Sequence, residues 1–204
     1  MSHYYNPIHP TVSSQNTSQY SSLGGAVRGA PAQSSFLIPN RRRVPQSIYQ
    51  PTGKWRNQTG RLAPIHAPVS VDFKGYSKQG MRMMELYARG AFALSQMMEG
   101  GDDRVLAHTG LKRITLHIRW PGYENYEWIR SIELNTSSGP ITRAELAAIV
   151  AQNFHRYFEK LQYSSTPAME WHIGPMGISF DKLVLVSISN VFEDAWQADV
   201  AVDF

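Results

Sequence analysis

Hydrophobic and polar positions alternate most cleanly in the C-terminal half of the chain. In residues 114–120, ITLHIRW, the side chains of Ile114, Leu116, Ile118 and Trp120 fall on one side of an extended backbone, with Thr115, His117 and Arg119 on the other. A second strand, EWIRSIEL, follows a Pro-Gly loop at a spacing that suits a hairpin with a long connection. The run 180–190, FDKLVLVSISN, is apolar on both sides, as in a strand inside a sheet. The last run, WQADVAVDF, alternates again: Trp196, Ala198, Val200, Val202 and Phe204 inward, Gln197, Asp199 and Asp203 outward.

Two stretches carry the helical period instead. In ITRAELAAIVAQNFHRYFEKLQY, Thr142 and Glu145 have the spacing of a capping box. Leu146, Ile149, Val150, Phe154 (or Asn153), Tyr157, Phe158 and Leu161 then form an inward stripe. Residues 77–99 place Met83, Tyr87, Leu94 and Met98, with Met84, Ala88 and Ala91, at intervals of three and four. They are expected to form one helix stopped by Gly100 and Gly101, with Gly90 costing about 1 kcal/mol in its middle. The order β-β-α-β-β, with a helix ahead of it, predicts an α+β two-layer sandwich: a four-stranded, mainly antiparallel sheet with helices on one face.

Before residue 72 these periods vanish. Residues 1–35 are rich in Ser, Gln, Asn and Gly, and residues 36–71 interleave short apolar triplets with Pro and Arg; eight of the twelve prolines precede residue 71. Residues 1–71 are therefore expected to be a disordered or extended tail, which drapes over the body or stays free, and residues 72–204 a single compact domain.

Charge follows the same boundary. Residues 1–71 carry seven Lys/Arg and no Asp or Glu, whereas residues 111–204 carry eight basic and eleven acidic residues. A basic arm on a mildly acidic body suits phosphate contact by Arg41, Arg42, Arg43, Lys54 and Arg56, with Trp55 stacking on a base. It equally suits contact with the acidic body, and Arg41, Arg42 and Arg43 also read as plain solvated linker.

Chemistry is sparse. There is no cysteine, which removes disulfides, thiolate metal sites and cysteine nucleophiles. No Gly-rich phosphate loop, His-Glu-x-x-His or Gly-x-Ser-x-Gly motif occurs. No catalytic residue, cofactor or metal is expected, and enzyme activity ranks last. His117, His155 and His172 read as separate structural or surface residues rather than ligands. The pairs Glu124/Glu127 and Glu193/Asp194 read as turn residues rather than an acid and base. Thr115, His117, Arg119, Ser131, Glu133, Ser187, Ser189, Gln197, Asp199 and Asp203 share the polar sheet face, open to water or crossed by the arm.

The loop HIRWPGYENYEW holds the candidate interaction surface: Arg119, Tyr123, Tyr126, Trp128 and Arg130. Within it Trp120 is expected in the core, Arg130 stacked on Trp128 or Trp120, and Tyr123 and Tyr126 free at the tip. With no membrane-length apolar run and no secretory pattern at residues 1–10, the expectation is an intracellular protein, cytoplasmic or nuclear, without membrane contact.

The segments RWPGYENYEWIRSIEL, GPITRAELAAIVAQNFHRYFE and LVLVSISNVFEDAWQADVAV resemble a family of uncharacterised proteins from mushroom-forming basidiomycete fungi, over about residues 108–203. The resemblance implies a fungal source and an α+β domain, and carries no catalytic residue with it. The residues themselves favour a non-enzymatic module that binds a protein partner or itself. The alternatives are a nuclear or nucleic-acid-associated protein acting through its arm, and an enzyme of unrecognised class.

Overall fold

The computed structural model describes residues 38–51 and 65–204. It is a mixed α+β structure built on one large sheet with a helical layer on one side. In chain order the strands are β1 (Arg41–Arg43), β2 (Val69–Ser70), β3 (Met81–Arg82), β4 (Arg113–Ile118), β5 (Trp128–Glu133), β6 (Asn135–Thr136), β7 (Gly139–Pro140), β8 (Leu183–Phe192) and β9 (Ala195–Asp203). The helices are α1 (Met83–Ala88), α2 (Ala91–Met97) and α3 (Arg143–Leu161).

The four strands expected from alternation are present as β4, β5, β8 and β9. The sheet nevertheless has seven strands, in the order β2-β8-β9-β4-β5, with β1 also paired to β9 and β3 to β8. The additional three are two or three residues long, too short to show a period of two. They lie in segments read from the sequence as tail or helix, and Val44, Val69 and Val71 are buried in the core. All pairings in this sheet are antiparallel except β4 with β9.

β9 is the centre of the fold, buried from Ala195 to Val202. Its Trp196, Ala198, Val200 and Val202 join the main core, as the alternation predicts. Phe204 does not: it lies past the strand end, with the Arg42 guanidinium 5.1 Å from its ring centroid and Trp171 at 6.3 Å. On the other face Val184, Val186 and Ala201 form a small apolar cluster, which explains the run of β8 residues apolar on both sides.

The expected helix at 77–99 is two short helices. Met81–Arg82 is drawn into the sheet beside Leu185 and Val184, and Arg89 and Gly90 both adopt extended backbone. Packing overrides a periodicity that five methionines and an alanine-rich segment would satisfy either way. Gly80 makes the sheet contact possible, because a Cβ there would lie 2.7 Å from the Leu185 carbonyl oxygen.

α3 forms as read. The Thr142 hydroxyl accepts from the Glu145 N–H at 3.1 Å, and the Glu145 carboxylate accepts from the Thr142 N–H at 2.8 Å. Phe154 and Asn153 are both buried, and Asn153 has a task there: its Oδ1 accepts from the Trp128 indole at 3.1 Å. Thr142→Ala should lower stability by about 1 kcal/mol through loss of the cap, read by urea denaturation. An unchanged midpoint would show that packing alone sets this helix start.

Candidate functional site

Two regions gather the residues that carry chemistry: the polar face of the sheet, and the end of the molecule where the β4–β5 loop meets the chain after α3.

The polar face is crossed by the arm. Arg41 holds Asp203 through both carboxylate oxygens, at 2.5 and 2.9 Å, and donates to the Gln79 carbonyl. Arg43 donates to Asp199 Oδ1 at 2.7 Å. Val44 N–H takes the Val200 carbonyl, where Pro45 ends the ladder; the Gln46 amide then takes the Ala198 carbonyl in place of backbone. Beyond it Gln197 accepts from Tyr49 N–H at 2.7 Å and donates to the Ser47 carbonyl. The Tyr49 ring stacks on His117 at 4.1 Å, and the Arg119 guanidinium lies 5.8 Å from the Tyr49 centroid.

This arrangement uses Arg41 and Arg43 within the fold, so these two are less open to phosphate than a solvated run would be, while Arg42 is exposed beside the Phe204 ring. Lys54, Trp55 and Arg56 lie outside the described residues.

Burial sets the protonation of the two groups beneath the arm. It pushes the Asp199 carboxyl up to about 6, against the opposing pull of Arg43. It holds the His117 imidazole below its ordinary range, with Glu127 acting the other way. Asp199 is 7% exposed, and its Oδ2 has no partner among the described residues.

At the loop end, Tyr123 is a tie-post rather than a free tip. It is 2% exposed; its hydroxyl donates to the Ser164 carbonyl at 3.3 Å and accepts from Ile173 N–H at 3.0 Å. The loop fits because Gly122, at φ 79°, leaves room for Thr166, whose hydroxyl donates to the Gly122 carbonyl. Trp120 is core, as expected, its indole donating to the Trp171 carbonyl at 2.8 Å. Trp128 is buried as well, and Arg119 is paired with Glu127 at 2.6 Å. Arg130 stacks 4.3 Å from the Trp128 centroid, as proposed from the sequence. Of the five candidate surface residues, Tyr126 alone keeps an exposed aromatic face.

The exposed apolar groups here come from elsewhere. Tyr163 is 89% exposed, Met169 74% and Met176 95%, and Phe204 is also open. The ties Tyr123–Ser164, Tyr123–Ile173 and Trp171–Phe204 bring their segments to one end of the molecule. The signal in the sequence was two Met in an irregular stretch, Met169 and Met176, and a Tyr at the end of the preceding helical run.

The remaining candidates do not converge. Glu124 accepts from Gly122 N–H, a bond that holds its carboxyl below the usual range, while Glu127 holds Arg119. Asp194 accepts from the Thr115 hydroxyl. His155 is stacked on Tyr87 at 4.2 Å with Glu159 at 3.4 Å, lining an open cleft of about 410 Å³ with Gln152 and Arg156. Among the described residues no group of three His, Asp or Glu is placed to hold a metal, and no helix is long and apolar enough to cross a membrane. Comparison with family models, with curated proteins and with solved structures gave no match.

Two measurements check the site. Tyr123→Phe strands the buried Ile173 N–H and should cost about 1–3 kcal/mol in urea denaturation; no loss would mean the tie is idle. For Asp199, the folded pKa near 6 lies above the unfolded 3.8, so its ionised form opposes folding above pH 6, and the penalty lifts as pH falls toward 4. His117, shifted down, works oppositely: its stabilising share is lost as pH falls below 6.5. Relative to Asp199→Asn, which shares His117, wild type should therefore gain about 1–3 kcal/mol between pH 7 and about pH 4. A pH-independent difference between the two would refute the shift.

Proposed function

We propose that the chain is a non-enzymatic protein-interaction module whose contact surface is the loop end, built around Tyr126, Tyr163, Met169, Met176 and Phe204. The observation that carries this reading is the exposure of Tyr163, Met169 and Met176 on segments that are otherwise pinned through Tyr123. Tyrosine and methionine are enriched at interfaces, and methionine adapts its shape to what it meets. A base that is already rigid limits the backbone entropy lost on binding. The partner is a second protein or another copy, inside a fungal cell if the basidiomycete resemblance holds.

Binding of nucleic acid through the arm is the weaker reading, because Arg41 and Arg43 already hold Asp203 and Asp199. A phosphate contact would have to compete with these pairs or fall to Lys54, Trp55 and Arg56.

Full-length wild type and the variant Tyr163→Ser/Met169→Ser/Met176→Ser should be compared in pull-downs from a native basidiomycete extract. All three side chains are exposed, so the variant should melt with the wild type. Proteins recovered by wild type should drop by about tenfold or more with the variant, in line with loss of an interface centre. Equal recovery by both, or a salt-sensitive gel shift on short duplex DNA that needs residues 1–71, would overturn the reading.

A further inference from the structure

β5 is the last strand of its sheet. β4 pairs with one of its edges, and among the described residues nothing pairs with the other. Hydrogen-bond parity says which groups that edge leaves open. Leu134 N–H donates to the Lys112 carbonyl, so Ile132, Arg130 and Trp128 stand in the hydrogen-bonded positions opposite Ile114, Leu116 and Ile118. The N–H and C=O groups of Ile129, Ser131 and Glu133 therefore point away from β4, and all three residues are exposed.

Arg130 bends over this edge. Its side chain lies on the Trp128 ring and donates from Nη1 to the Ile129 carbonyl at 2.8 Å. One of the six open groups is thus covered, and a fixed positive charge sits where an incoming strand would lie. Charged side chains at a sheet edge suppress strand addition.

We propose that the β5 edge is a strand-docking surface for a second copy of this chain, held shut by Arg130. The sequence of β5 argues for its own copy as the occupant. Two β5 strands run antiparallel about a two-fold axis at Ser131 place Ser131 opposite Ser131, Ile129 opposite Glu133 and Arg130 opposite Ile132. That register uses every open backbone group of both strands and sets no like charges against each other. Centring on Arg130 instead puts the two guanidinium groups face to face, and centring on Ile132 pairs Ile129 beyond the end of the strand. This surface is distinct from the loop end, and the two are separable by mutation.

Sedimentation of the full-length chain over a concentration series, up to about 100 μM, tests the proposal. Arg130→Ala should raise the dimer association constant by about tenfold or more over wild type. Adding Ser131→Pro should abolish the gain, since that N–H faces the open edge and its loss leaves the β4–β5 ladder intact. The chain has no cysteine, so Ser131→Cys in the Arg130→Ala background gives a clean disulfide between copies under mild oxidation. The dimer should persist when Tyr163, Met169 and Met176 are replaced by Ser, which separates it from association at the loop end. Failure of Arg130→Ala to increase dimer, or a dimer that survives Ser131→Pro, would overturn it.

Discussion

The structure depends on satisfying both edges of a strand that water does not reach. β9 is buried along almost its whole length, so each of its peptide groups needs a partner within the protein. β8 serves one edge. The other edge is divided: β4 runs beside residues 195–197, β1 beside residues 201–203, and between them Val44 and the Gln46 side chain take the Val200 and Ala198 carbonyls. An unmet carbonyl at this depth costs about 1–3 kcal/mol, so the arm is structural, whatever its composition suggests. Pro45 is tolerated because its position, opposite Asp199, is one whose N–H would face away from β9; the Gln46 N–H turns to the Val44 carbonyl, and the Gln46 side-chain amide takes the Ala198 carbonyl in its stead.

What could be read from the sequence is what buries a periodic face. β4, β5, β8, β9 and α3 each repeat their pattern long enough to be recognised, and the Thr142/Glu145 spacing marks the helix start directly. The missing parts share a different cause. A strand of two or three residues such as Arg41–Arg43 is defined by its backbone partners and by Asp199 and Asp203, which lie more than 150 residues away. Local pattern holds no trace of such a contact. The break at Arg89–Gly90 was visible only as a weak residue in a good helix, and the start of α1 was hidden because Met81–Arg82 docks against β8.

The same distinction divides the site. Arg130 on Trp128 was legible because an Arg on an apolar face needs a local reason, and a neighbouring indole supplies one. Tyr123 was misread because its two partners, the Ser164 carbonyl and the Ile173 N–H, belong to a segment without any regular period. Glu124, Glu127 and Asp194, read as turn residues, bond within the fold, and so do Arg41 and Arg43 of the arm, which by sequence also suit phosphate contact. What is left exposed among the described residues includes a few apolar side chains, Tyr163, Met169 and Met176, and the open backbone edge of β5.

The pairing of Arg41 with Asp203 spans 162 positions of the chain. During synthesis the arm is therefore made long before the strand it will lie against, and nothing local can stand in for that strand. The Arg41–Asp203 closure is one of high sequence separation, of the kind that slows folding. The carboxylates of Asp199 and Asp203 are covered only once residues 41–46 have met residues 198–203.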